Sequence, residues 1–218
     1  MGYATVEDIR LLTNLSTTDI SDADLSSLLD RTIGEINSKI NVHVIRERIL
    51  YIDNVRQNKI DGSNTTYYVN NWNGCFLGDT DDDSEVGTGD ITVYQVDSST
   101  NTETQLTVSS VDYDDCSFTL SSAPSSGVKL YVTYAYTKIN PVTPEGLLIL
   151  AHAWLVASYA YLKRDTGTAN NVRFGRTSIS RKISEGHTTA YNKYKMVLNE
   201  INNINMGGGS WIESKVKI

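Results

Sequence analysis

The hydrophobic period of this chain changes twice along its length, and that alternation constrains the fold more than any single motif. After Ser21 the apolar residues stand at Leu25, Leu28, Leu29, Ile33, Ile36 and Ile40, the three-and-four spacing that gathers one stripe on one side of a helix. Past residue 43 the period becomes two. Ile91-Thr92-Val93-Tyr94-Gln95-Val96 and Val128-Lys129-Leu130-Tyr131-Val132-Thr133-Tyr134 alternate as half-buried strands do. The clusters Asp61-Gly62-Ser63-Asn64, Asn73-Gly74 and Ser125-Ser126-Gly127 punctuate this stretch, and short strands between such turns point to a small β-sandwich or barrel. After residue 140 the helical period returns, in the apolar run Leu147–Leu162 and then at Tyr191, Tyr194, Val197, Leu198, Ile201 and Ile204.

The expected fold class is therefore α+β. Residues 1–42 and 140–205 are predicted to form one small α-helical bundle, because neither helical end is long enough to bury its stripe alone. Residues 43–139 form an inserted all-β, sandwich-like domain, and 206–218 an extended C-terminal tail. Local signals support the helix starts. Thr5 with Asp8, and Ser21 with Asp24, have capping-box spacing with Asp in place of Glu. Thr143-Pro144 reads as an N-cap followed by proline at the first helical position, and Lys163-Arg164 as cations at that helix's C-terminus.

Charge is unevenly distributed. The net charge of −7 argues against a surface devoted as a whole to nucleic acid. Asp53 to Asp115 holds 13 acidic and 2 basic residues, a balance of −11, whereas Lys163 to Lys195 holds 8 basic and 2 acidic, a balance of +6. Within the latter, Arg173, Arg176, Arg181 and Lys182 flank a loop between the last two helices. They are candidates for contact with DNA in a channel or with an acidic partner; a solvated basic loop, or one that forms salt bridges between subunits, is an equally good reading of charge alone.

Catalytic and metal signatures are sparse. His43, His152 and His187 belong to no HExxH, GxSxG or P-loop pattern, so no enzyme and no cofactor is expected. Cys75 and Cys116 belong to no CxxC pair and read as buried thiols, with a disulfide between them left open. Counting Asp79 as position one puts Asp81, Asp83, Glu85 and Asp90 at three, five, seven and twelve, the carboxylate spacing of a calcium loop. Ser84 stands where that loop requires glycine, so the run reads as an acidic turn and no metal is assigned. The N-terminus has no basic segment followed by an apolar one, so no secretory signal is expected. His152 and Ser158 interrupt Leu147–Leu162, which favours a core helix over a membrane span.

The tail has its own pattern. Gly207-Gly208-Gly209-Ser210 tethers Trp211-Ile212-Glu213-Ser214-Lys215-Val216-Lys217-Ile218, in which apolar and charged residues alternate. It reads as a strand that lacks a partner in its own domain, with Trp211, Ile212, Val216 and Ile218 as partner-binding residues that add to a neighbouring chain; folding back on its own domain is the alternative.

Two blocks of the chain resemble a known family. Tyr3-Ala4-Thr5-Val6-Glu7-Asp8-Ile9-Arg10-Leu11-Leu12-Thr13, then Ile20-Ser21-Asp22-Ala23-Asp24-Leu25 and the helix to Ile40, look like the N-terminus of the head-tail adaptor (connector, or head-completion) proteins of long-tailed bacterial and archaeal viruses. Phe174-Gly175-Arg176-Thr177-Ser178-Ile179-Ser180-Arg181 with Tyr191 and Tyr194 is similar to the family's segment before its last helix. The resemblance implies a structural virion protein at the head-tail junction. It would form a homo-oligomeric ring, usually twelvefold, between the portal protein and the next neck or tail protein, with genomic DNA held non-specifically in the lumen and no membrane. The family's C-terminal extension typically reaches into the portal. The long β segment departs from the family pattern. A second expectation is a receptor- or glycan-binding module on the virion surface, using Tyr67, Tyr68, Trp72, Phe76 and Tyr94 as a stacking platform.

Overall fold

The computed structural model describes residues 2–50, 58–71, 73–144, 146–168 and 185–206. The protein is α+β: the described residues form four α-helices and eight strands in two antiparallel sheets. It divides into two compact units, one made of residues 1–39 with 144–203 and the other built on residues 40–143.

The first unit contains α1 (Val6–Leu12), nearly all of α2 (Asp22–Ile40), α3 (Gly146–Thr168) and most of α4 (Glu185–Met206). Thr5 starts α1 with a full capping box. Its hydroxyl accepts from the Asp8 amide at 3.2 Å and its own amide donates to the Asp8 carboxylate at 2.8 Å. At the start of α2 the Ser21 hydroxyl accepts from the Asp24 amide at 3.1 Å. Arg10 shapes the link between the two helices, donating to the carbonyls of Leu15 and Ile20 at 2.8 and 2.7 Å while pairing with Asp22. The core joins both ends of the chain: Ile9, Leu15, Ile20, Leu25 and Leu29 meet Ala153, Val156, Ala157 and Ala160 of α3 and Ala190 of α4. Alanines on α3 let the neighbouring elements approach closely, since helix separation is set by the side chains at the contact.

α3 departs from its sequence reading at its C-terminal end. It is described over Gly146–Thr168 and so runs past Lys163-Arg164. Those two cations are held sideways, Lys163 by Asp24 at 2.7 Å and Arg164 by Asp165 at 2.9 Å, and so do not mark the helix end. Gly146–Asp165 is also long and apolar enough to cross a membrane by length and composition, and half of that window is buried inside the protein. His152 and Ser158, which interrupt the apolar run, are both fully buried inside the protein, and the Ser158 hydroxyl donates to the Leu155 carbonyl at 2.7 Å.

The second unit holds β1 (Val42–Arg48), β2 (Thr66–Tyr68), β3 (Phe76–Leu77), β4 (Thr92–Val96), β5 (Glu103–Leu106), β6 (Val108–Asp112), β7 (Ser117–Leu120) and β8 (Lys129–Thr137). One sheet runs β1-β8-β4-β5 with β3 also on β8; the other runs β2-β7-β6. Leu77, Val93, Leu130, Val132 and Tyr134 from the first sheet and Tyr67, Phe118 and Leu120 from the second form one core. The turn residues behave as their chemistry requires. Asp61 accepts from the Ser63 and Asn64 amides, and Gly62, Gly74 and Gly127 take φ of +87°, +70° and +85°. β1 is an edge strand with a bulge between Val44 and Glu47, where Arg46 has φ +55°. Arg46 crosses the outer face of the sheet, over the rings of Tyr131 and Tyr94, to make two bonds with Glu103. Bulge and charge together blunt this edge against further pairing. Cys75 and Cys116 are buried, with the Cys116 thiol donating to the Cys75 carbonyl at 3.0 Å.

Candidate functional site

Arg173, Arg176, Arg181 and Lys182, and the tail residues Trp211, Ile212, Val216 and Ile218, lie outside the described residues, as does Trp72. The structure describes their anchors: the end of α3, the start of α4, and Met206, from which the tail departs. The four described cations of the basic stretch are all engaged. Lys163 and Arg164 meet carboxylates, Arg164 also lies over Tyr161, Lys193 over Trp154 and Lys195 over Tyr191.

A groove of about 300 Å³ opens in the helical unit where the end of α1, α3 and the first turns of α4 meet. Leu12, Trp154, Tyr161, Gly186, Ala190 and Lys193 shape it. Gly186 permits the close approach, since a Cβ there would stand 2.7 Å from the Tyr161 ring. One turn of α4 is fixed by His187, whose Nδ1 meets the Ser158 carbonyl at 2.9 Å and whose ring stacks on Tyr191. The Lys193 ammonium sits 4.1 Å from the Trp154 ring centroid, within cation–π range. The result is an aromatic-walled recess with a cation at its rim. Sequence reading missed it, because its residues come from three separate elements and the glycine that opens it looks like a helix flaw.

His152 is a second convergence of the helical unit. The Ala4 amide donates to its Nδ1 at 3.2 Å, which makes Nδ1 the unprotonated nitrogen. Its Nε2–H therefore donates to the Thr32 hydroxyl at 2.9 Å, which in turn donates to the Leu28 carbonyl at 2.8 Å. Tyr3 meets the ring edge-on. Burial pushes the imidazole down to about 4. Both nitrogens are consumed in joining the N-terminal segment, α2 and α3. His43, by contrast, lies exposed on β1.

The acidic run folds on itself. Asp79 is buried and accepts from the amides of Asp82 and Ser84 at 2.7 and 2.9 Å; Asp90 accepts from Thr80 and, at 2.8 Å, from the Gly87 amide. Asp82 and Ser84 take the left-handed conformation, φ +65° and +72°. Carboxylate oxygens of Asp79, Asp81 and Asp83 lie within 4.8 Å of one another. Burial, then the charges of Asp90, Asp83 and Asp79, raises the Asp81 carboxyl.

Tyr67 is wholly buried, its hydroxyl donating to the Asn64 carbonyl, and burial pushes it up to about 12. Tyr94 lies under Arg46. A scan against protein-family models and searches of curated proteins and of solved structures return no match for this chain.

Proposed function

We propose that this chain is a structural adaptor subunit of a tailed-virus particle. In this reading it forms a homo-oligomeric ring between the portal and the next neck or tail protein, and genomic DNA passes non-specifically through the lumen. The observation that carries the reading is the composition of the helical core. The N-terminal block that resembles the adaptor family supplies Ile9, Ile20, Leu25 and Leu29, and these pack with α3 and Ala190 of α4 in one compact unit. A ring subunit needs such a rigid body, because a heterologous contact closes into a ring only if its geometry repeats without drift. Arg173, Arg176, Arg181 and Lys182 would face DNA or an acidic neighbour, and Trp211, Ile212, Val216 and Ile218 would form an arm that grips a different subunit. The β unit carries an excess of acidic residues, and like charge repels the DNA backbone, so in this reading it would not line the lumen.

The receptor- or glycan-binding alternative draws on aromatic residues of the β unit, of which Tyr67 is a core residue and Tyr94 is covered by Arg46. The adaptor reading is tested by imaging purified particles with an antibody raised against the β unit. Label at the single head-tail vertex is expected. Label spread over fibres or the capsid surface would refute the assignment.

A further inference from the structure

The adaptor reading gives no role to the chain's two cysteines, which meet where the two sheets of the β unit share their core. We propose that Cys75 and Cys116 are the site of a covalent cross-link, closing into a disulfide when the protein meets a small organic disulfide as oxidant and so stapling one sheet to the other. The inference goes beyond the adaptor reading and does not depend on it.

Position carries the proposal. Cys75 stands immediately before β3 in the first sheet and Cys116 immediately before β7 in the second, and both side chains belong to the one core that the sheets enclose. The Cys116 sulfur lies 3.0 Å from the Cys75 carbonyl oxygen. Adding the covalent path from each of those atoms back to its own Cα leaves the two Cα atoms at most about 8 Å apart, and every bend in that path shortens it toward the roughly 4.4–6.8 Å that a disulfide spans. Two backbone bonds hold the segments in this relation: the Leu77 amide donates to the Tyr113 carbonyl at 3.0 Å and the Val69 amide to the Cys116 carbonyl at 3.1 Å. The register is therefore fixed on both sides of Cys75 before any bond between sulfurs forms.

The turn after β6 adds a local argument. The Asp112 carboxylate accepts from the Asp114 and Asp115 amides, and the turn closes at Cys116 with φ +52°, in the left-handed region that favours glycine or asparagine. With the backbone so set, the thiol lies wholly buried against the Cys75 peptide.

The chemistry needs a way in. Cys116 is inaccessible, whereas Cys75 keeps 5% exposure beside exposed Asn73 and Gly74, so Cys75 is the sulfur that local opening presents first. Its thiolate attacks one sulfur of the small disulfide, forms a mixed disulfide and expels one thiolate. The Cys116 thiol then loses its proton, and its sulfur attacks the Cys75 sulfur and expels the second thiolate. Two protein thiols are oxidised, one small disulfide is reduced, and the two protons lost by the cysteines balance the two thiolates released. The bond joins residues 41 apart in sequence, a span over which a cross-link strongly restricts the unfolded chain.

The test treats the full chain, folded in native buffer, with oxidised glutathione and digests it with a protease that cuts at aspartate, since no lysine or arginine lies between Lys59 and Lys129. The intact chain is expected to lose the mass of two hydrogens and to yield one linked pair of peptides holding Cys75 and Cys116. The thermal midpoint of the β unit should rise by on the order of 10 °C and return on reduction. Cys75→Ala and Cys116→Ala, treated alike, should show neither the link nor the rise. Thiols that stay reduced even a few degrees below the midpoint of the reduced protein would overturn the proposal. So would a glutathione adduct that persists on either cysteine, cross-links between two chains, or a linked pair with no rise in midpoint.

Discussion

The helical unit and the β unit bury polar atoms by opposite means. In the helical unit a neutral imidazole, His152, is enclosed among apolar side chains and satisfied by the Ala4 amide and Thr32. In the β unit buried polarity includes carboxylates, a phenol and the amide of Asn58, which donates to the Leu50 and Tyr68 carbonyls at 3.1 and 2.8 Å. Asp79 and Asp90 are capped by backbone amides, and Tyr134, which burial raises above the usual phenol range, reaches Glu47 and Asn71. The difference teaches what holds each buried polar group: one imidazole joins three elements of the helical unit, whereas backbone amides from adjacent turns cap the carboxylates of the β unit.

The sharpest way to break the comparison is a cavity in one core. Phe118 is buried and packs near Tyr67, so Phe118→Ala should cost about 3–5 kcal/mol. Hydrogen exchange is expected to show the loss in β2, β6 and β7 while the amides of α2 and α3 keep their protection. Equal loss in both units would mean they unfold as one.

Acid should separate them next. The folded pKa of His152, about 4, lies below its ordinary 6.5, so the unfolded chain binds more protons between those values. The stabilisation is complete above about pH 6.5 and falls by about 3 kcal/mol as pH drops through 4. In the β unit Asp61, Asp97 and Glu103 are held below their ordinary values, Asp61 and Asp97 mainly by neighbouring serines and Glu103 by Arg46. Their contribution is present above the unfolded carboxylate range and is lost only as pH falls below it. At pH 5 the helical unit should already be weakened and the β unit intact, which circular dichroism melts with His152→Gln as the control would read out.

What was legible in the sequence follows the same division between local and tertiary causes. The stripe of α2 announces its own burial, and Leu25, Leu29, Ile33, Ile36 and Ile40 are all buried. β4 and β8 alternate visibly, because one side of each faces the core. The C-terminal end of α3 is not legible, since Lys163 and Arg164 serve Asp24 and Asp165 and do not cap the helix. Nor was the role of His152, whose donor lies 148 residues away. Of the candidate site, sequence named the arm and the basic loop, which lie beyond the described residues, but not the groove. That recess exists only because Gly186 lets Tyr161 approach α4.

Two smaller effects sharpen the contrast further. Ala157 is fully buried on α3, and Ala157→Leu should cost about 1–3 kcal/mol by overpacking a contact set by small side chains. A substitution of the same kind on an exposed β5 residue should cost less, as comparative thermal denaturation would show. Thr5→Ala removes the cap of α1 and should cost about 1 kcal/mol, read as faster exchange of the Asp8 amide. No change in that amide would mean that packing of Ile9 alone holds the first turn.

The most direct test of the account is hydrogen exchange of the chain in purified particles against the free chain. The account predicts new protection in the helical unit and in Trp211–Ile218, with the loops of the β unit unchanged. Protection gained only in the β unit, or absence of the chain from the particles, would contradict it.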